Sequence, residues 1–289
     1  MACLLIVASG CSDPTGVSPR PVYYVNAATG NDSNTGTSGA PFKTITQALS
    51  VADSGDTVQV RPGRYDAALG EQFPLTLAAW VTLVGDEANK GGGGTPTVIV
   101  GGGNTTSNLP FGGAIDAEAH TTIAGFSITD SASIQYAAGI VVHNDGVTIR
   151  NNRLINSVDW GIVASDSASG GVFTDNVIMG NQLGILFTGG DGSSRLEGNV
   201  ITANQYGVYY EVGTFGDLGG GSTGSAGGNT LSCNSSVDLY TENATTINGT
   251  NNRWDHVPPT TGVGGDINGS GGASTYITTG ATLASSPCP

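Results

Sequence analysis

The chain has 289 residues, of which 11% are charged, and 9 Lys+Arg against 23 Asp+Glu leave a formal charge of −14. So few charges exclude a coiled coil or long-helix protein, and the scarcity of cations excludes the clustered Lys and Arg that a nucleic-acid partner needs on its phosphates. Glycine reaches 47 residues while hydrophobic content holds at 38%, so the retained Val and Ile point to many short strands joined by tight turns rather than to disorder.

Residues 2–10 are small or apolar and close on Ala8-Ser9-Gly10-Cys11. An apolar run ending on small residues and a cysteine resembles the lipobox of bacterial lipoprotein signals, with Ala8 where leucine is commoner. A full signal also has a basic region and a longer apolar stretch, so this reading places its start upstream of Met1. Residues 1–21 are then a signal and a Pro-rich tether, with Cys11 the lipidated residue and a lipid the sole membrane contact. No later segment approaches the ~18 apolar residues of a membrane span. The expected location is the bacterial cell envelope or its exterior, lipid-anchored. Of the four cysteines, Cys3 lies in the signal and Cys11 carries the lipid. Cys233 and Cys288 are left as a disulfide pair in an oxidising compartment, the alternative being two free thiols.

Residues 22–26 predict a strand, and turn residues continue to position 40. Thr44 and Gln47 fit a capping box in which Gln47 reaches back, and Ile45, Ala48, Leu49 and Ala52 recur at helical spacing. A short helix over 44–52 is expected, covering the open N-terminal end of the strands after it. Strands are predicted over 57–60, 75–77 and 80–84, with a turn at Pro62-Gly63.

From about residue 120 the chain repeats. Asn152, Asn176, Asn199, Asn229 and Asn252 recur at intervals of 24, 23, 30 and 23, and the Gly/Ser-rich run 213–228 explains the long one. Gly139, Gly161, Gly184 and Gly207 form a second column, each followed by Ile or Val. Asn181, Asn204 and Asn234 form a third, and Ile149, Phe173 and Leu196 a fourth. A period near 23 without a leucine ladder predicts an all-β fold, a single right-handed parallel β-helix with a short N-terminal capping helix. Ile162, Ile185 and Val208 are expected inward and Val163, Leu186 and Tyr209 outward. The first asparagine column is expected as an inward ladder, and the glycines as a bend needing positive φ or close approach. The chain divides into 1–21, 22–100 (cap and first coils), 101–257 (coils) and 258–289 (a C-terminal capping tail).

Tyr24-Val-Asn, Gly30-Asn-Asp-Ser-Asn-Thr-Gly36, Pro41-Phe-Lys-Thr-Ile45, Gly55-Asp56-Thr-Val58, Val60-Arg-Pro-Gly63-Arg-Tyr65, Phe73-Pro-Leu-Thr-Leu77 and Val81-Thr-Leu-Val-Gly-Asp86 come in unbroken order. This closely resembles the bacterial domain of unknown function that opens secreted right-handed β-helix proteins of the pectin-lyase-like superfamily. The specific match covers about residues 22–100. Asn252-Arg-Trp254-Asp255-His256-Val-Pro-Pro259 looks like the closing segment of such chains. The resemblance implies fold, export and a carbohydrate setting, and no reaction.

Enzymes of that superfamily act with a cation beside acid-bound calcium, or with close carboxylates. Here Lys43 and Lys90 lie in the cap region, and Arg150, Arg153 and Arg195 on coils. Arg150 aligns with Thr174 and Glu197, and Asp159, Asp175 and Glu197 sit at different offsets, so no catalytic residue is assigned. Asp32-Ser-Asn34-Thr-Gly36 spaces oxygens as a calcium loop does but lacks the closing Glu, and Asx-turns explain it equally well. No cofactor other than calcium at Asp32 and Asn34 is in view, and His120, His143 and His256 share no column. Trp160 and Tyr206, which precede the glycine column, and the outward Tyr209 are the candidates for stacking on sugar rings, with packing under a flanking loop as the alternative. The leading reading is a non-catalytic monomer that binds or presents to polysaccharide. A lyase or hydrolase of acidic polysaccharide and a purely structural surface module stay open beside it.

Overall fold

The computed structural model describes residues 19–105, 111–132, 134, 136–165, 168–189, 193–243, 246–271 and 274–285. The signal residues with Cys11, and Cys288, lie outside them. Three parallel sheets run the length of the molecule, each strand pairing with its equivalent one coil later. The first sheet begins Val22–Val25, Thr57–Val60, Thr82–Val84, the second Gly63–Asp66, Thr97–Gly101, Ser127–Asp130, and the third Leu75–Leu77, Gly112–Ala117, Ala137–Val142. Each turn of the solenoid takes one strand from each sheet, giving the expected right-handed parallel β-helix. Residues 258–271 and 274–285 continue it, with Ile267–Gly269 on the third sheet, Thr282–Leu283 on the second, and Thr275–Ile277 beside Thr246–Asn248.

The core is three inward columns, because strand alternation places one side chain of every short strand inside. Val58, Leu83, Ile123, Ile149, Phe173 and Leu196 stack on the first sheet, and Tyr65, Ile99, Ile128, Leu154, Ile178, Ile201 and Leu231 on the second. On the third sheet Ile115, Ile140, Ile162, Ile185 and Val208 continue into Leu239 and Ile267, all buried.

Between the first and second sheets the chain turns on the asparagine column. Asn152, Asn176, Asn199, Asn229 and Asn252 are fully buried. From Asn176 on, each amide oxygen accepts from the preceding coil's asparagine, both backbone N–H and side-chain amide, as for Asn176 onto Asn199 at 3.0 Å each, while Asn152 starts the ladder by accepting the Phe126 N–H. The second column, Asn181, Asn204 and Asn234, repeats the device at the next turn. The glycine column resolves to close approach. None of Gly139, Gly161, Gly184 and Gly207 has positive φ, but a Cβ on Gly184 would lie 2.5 Å from the carbonyl oxygen of Gly207. At each of these glycines the chain kinks, so Trp160 and Ile162, two residues apart, join different apolar clusters on either side of the sheet.

The helix spans Ile45–Val51, packs on the first strands of the first and third sheets, and buries Ile45 and Ala48 in the main core. Thr44 caps it by accepting the Gln47 N–H at 3.1 Å. The reciprocal half of the expected capping box is replaced: the Thr44 N–H goes to Asp32 Oδ1 at 2.9 Å, and buried Glu71 takes the N–H groups of Ile45 and Thr46 at 2.7 and 2.8 Å. Two acids from distant loops thus satisfy donors that a helix start leaves open.

Candidate functional site

The third sheet has the longest strands, six residues in Trp160–Ser165 and Leu183–Thr188 against two to five in the strands of the other two. Its outer face is therefore the broadest surface of the coil. One outward column runs Asp116, Val141, Val163, Leu186, Tyr209, Tyr240, and beside it run Ala138, Trp160, Leu183 and Tyr206.

The two ends of this face differ. Towards the N-terminus Phe111 meets Trp160 edge-on at 5.3 Å and Tyr136 stacks on it at 5.8 Å. Trp160 is left 7% exposed, and Ala138, Val141, Val163 and Leu186 are buried beside it. Val163 and Leu186 do point out of the coil, but into a second apolar cluster rather than into water. Of the two readings of Trp160, stacking on sugar rings or packing under a flanking loop, the structure has the second, since Phe111 and Tyr136 cover its ring.

Towards the C-terminus three tyrosines on two adjacent coils stay partly exposed. Tyr209 and Tyr240 stack at 4.7 Å with 28° between rings, and Tyr206 meets both edge-on at 5.7 and 5.9 Å. Parallel pairing in register puts like positions of neighbouring coils side by side, which is why Tyr209 and Tyr240 stack. The Tyr209 hydroxyl donates to Glu242 Oε1 at 2.7 Å, and burial together with that carboxylate pushes its pKa well above the ordinary phenol range. Glu211, which accepts from the Thr188 hydroxyl, lies one coil before Glu242. The result is a half-buried aromatic surface edged by carboxylates. Among the described residues no lysine or arginine occurs on a strand of the third sheet. Rings with polar tips suit a ligand with one apolar face and many hydroxyls, and the carboxylates supply acceptors for those hydroxyls.

A polar chain crosses the same sheet. His143 Nε2 lies 3.2 Å from Asp116 Oδ1, and His143 Nδ1 lies 3.2 Å from Ser165 Oγ. The residue types are those of a nucleophilic triad. All three are under 9% exposed and Ser165 is fully buried, so the chain joins three coils without presenting its hydroxyl. Nothing in the sequence marks it, because each member sits on a different repeat.

The remaining candidates are spread over the coil. Asp32 spends both carboxylate oxygens on Lys43 and Thr44, and the Asn34 amide donates to the Pro41 carbonyl. Arg150 pairs with Glu87 at 2.6 Å, and that hydrogen bond holds the Glu87 carboxyl below its ordinary range. Asp159 accepts the Ala137 N–H and Glu197 the Ala226 N–H. His120 stacks on Trp80 at 4.1 Å, and His256 bonds to Asp266 at 3.0 Å. Cys233 is disulfide-bonded. Among the described residues one group of three carboxylates converges closely enough to hold a metal ion: Asp238, Asp255 and Asp266. They are far apart in sequence, and the only available signal was that Asp238 takes the register position of the glycine column.

Comparison with solved structures finds the same architecture. The chain is similar to the crystal structure of pectate lyase Pel9A, with 14% identity, a TM-score of 0.54, and coverage of 94% of this chain and 80% of that one. An alginate lyase from Paenibacillus sp. str. FPU-7 aligns at 14% identity and a TM-score of 0.43 over 83% of this chain and 95% of that one. A pectin methylesterase from Aspergillus niger aligns at 12% and 0.42, over 94% of this chain and 93% of its own. The likeness to Pel9A shows a shared parallel β-helix fold. A search of curated protein sequences returns no match. The family model described as "Protein of unknown function (DUF1565)" matches residues 28–261, and the chain belongs to that family.

Proposed function

We propose that this protein is a non-catalytic glycan-binding β-helix of the bacterial cell envelope, anchored by a lipid on Cys11, whose tyrosine surface takes a neutral polysaccharide. The observation that carries the reading is the contiguous face of Tyr206, Tyr209 and Tyr240, two rings stacked and the third edge-on to both. Such rings cover sugar faces with little loss of side-chain entropy. The choice of a neutral chain rests on charge. A polyuronate would meet Glu211 and Glu242 with no lysine or arginine on the sheet, in a protein of net charge −14. The buried Ser165 hydroxyl supports a binding role over a hydrolytic one.

The test is affinity electrophoresis of the soluble domain through a panel of neutral and acidic polysaccharides, with assays for new reducing ends and unsaturated products. Retardation by a neutral polysaccharide without cleavage is the expected result, abolished in a Tyr206→Ala/Tyr209→Ala/Tyr240→Ala variant. Cleavage of any member would replace the binding reading with an enzymatic one. No retardation on the whole panel would leave a structural module. The anchor is tested separately: protein expressed with a complete signal partitions into detergent, and Cys11→Ala releases it.

A further inference from the structure

The asparagine column Asn181, Asn204, Asn234 has no successor, because the position five residues after Asn252 is Val257. The chain closes this ladder with Asp238, whose Oδ1 accepts the Asn234 side-chain amide at 2.7 Å. Asp238 is 2% exposed and its Oδ2 has no hydrogen-bond partner. Asp255, at the protein surface, uses one oxygen to accept the Cys233 N–H at 2.8 Å. Asp266, 3% exposed, accepts from Thr260 and His256. One ligand oxygen from each of the three aspartates lies within 4.8 Å of the others. They line a cavity of about 130 Å³ together with Ser235, Ser236 and Gly264.

We propose that Asp238, Asp255 and Asp266 form a calcium site that ties the last coils to the loop 257–266. Three carboxylates share this cavity without a lysine or arginine in its wall, and the exposed His256 in that wall bonds to Asp266. A buried carboxylate oxygen with no donor is costly, and a cation at the meeting point satisfies it. An all-oxygen set selects a hard ion. Calcium takes six to eight oxygens in a flexible geometry and so suits carboxylates brought together from three separate segments, whereas magnesium demands a near-ideal octahedron. The role is structural: the site joins the segment 234–238, the turn at 255–256 and the loop 257–266.

The test uses the full soluble chain stripped with EDTA and dialysed. Calorimetric titration with calcium chloride should show one site, with a melting temperature raised by several degrees. Magnesium chloride should bind at least tenfold more weakly. Asp238→Asn and the surface change Asp255→Asn should each lower calcium affinity at least tenfold while the β-rich circular dichroism persists. If Asp238→Asn fails to fold, Asp255→Asn alone decides. No calcium binding by wild type, or binding unchanged in Asp255→Asn, overturns the site. So does binding lost in Asp32→Asn and kept in Asp255→Asn, which would move it to the N-terminal loop.

Discussion

Replacing Asn199 by alanine tests whether the buried amide ladder holds the coils together. Asn199 is fully buried in the middle of the column. Its Oδ1 accepts the Asn176 backbone N–H and side-chain amide at 3.0 Å each, and its Nδ2 donates to the Phe173 carbonyl at 2.8 Å and to Asn229 Oδ1 at 2.9 Å. Alanine removes all four bonds. The Asn176 amide keeps the Ile149 carbonyl, and Asn229 Oδ1 keeps the Asn199 N–H. The Asn176 backbone N–H is stranded, at about 2 kcal/mol, and the weakened partners add about 1 kcal/mol. A loss of about 3 kcal/mol lowers the melting temperature of a domain this size by roughly 6–12 °C. Thermal unfolding monitored by circular dichroism measures it, with Gln205→Ala as the control. Gln205 lies in the neighbouring turn with its side chain exposed, so its removal stays within about 0.5 kcal/mol. A shift for Asn199→Ala no larger than that of the control would refute the ladder as a major source of stability.

Gly184→Ala should destabilise by about 1–3 kcal/mol in the same assay, because its Cβ would meet the Gly207 carbonyl at 2.5 Å; an unchanged melting temperature would show that the bend is slack. Trp160→Ala should cost about 3–5 kcal/mol, since the ring is packed between Phe111 and Tyr136; a near-neutral effect would return Trp160 to the surface aromatics. Asp130, fully buried, has its pKa pushed by burial and by Asp159 from 3.8 up to about 7. With the folded value raised, its contribution is greatest below about pH 4 and declines as pH rises towards 7. Asp130→Asn should therefore raise stability more at pH 8 than at pH 4, and equal effects at both would contradict the shift. Alkylation and mass spectrometry of the non-reduced protein should leave Cys233 and Cys288 unlabelled as a pair, whereas two labelled thiols would exclude the bridge.

The coil was legible because its repeat is chemical as well as spatial. A buried amide must pass its bonds to an amide one turn away, so asparagine recurs at a fixed interval, and Ile162, Ile185 and Val208 face inward as the spacing requires. The helix at Ile45–Val51 was legible from its periodicity, but its cap was only half so. Asp32 and Glu71 reach Thr44 and Ile45 from loops whose path no local rule fixes. The candidate surface was less legible still. Tyr206 and Tyr209 stood out in their columns, while Tyr240 comes after the insertion 213–228 that breaks the period, and its stacking on Tyr209 appears only once the register is known. Trp160 was indistinguishable in sequence from Tyr206, since the same register position is covered in one coil by Phe111 and Tyr136 and left open two coils later. The aspartates 238, 255 and 266 meet where the repeat ends, the place at which periodicity stops carrying information.

The most direct measurement is the affinity of the retained polysaccharide for three proteins by calorimetry: wild type, Tyr206→Ala/Tyr240→Ala, and Trp80→Ala. Trp80 is 56% exposed and precedes a first-sheet strand, away from the tyrosine face. If the tyrosines are the binding surface, the double variant loses affinity at least tenfold with its melting temperature nearly unchanged, and Trp80→Ala binds as wild type does. Equal affinity in the double variant, or a comparable loss in Trp80→Ala, would contradict a glycan site on this face.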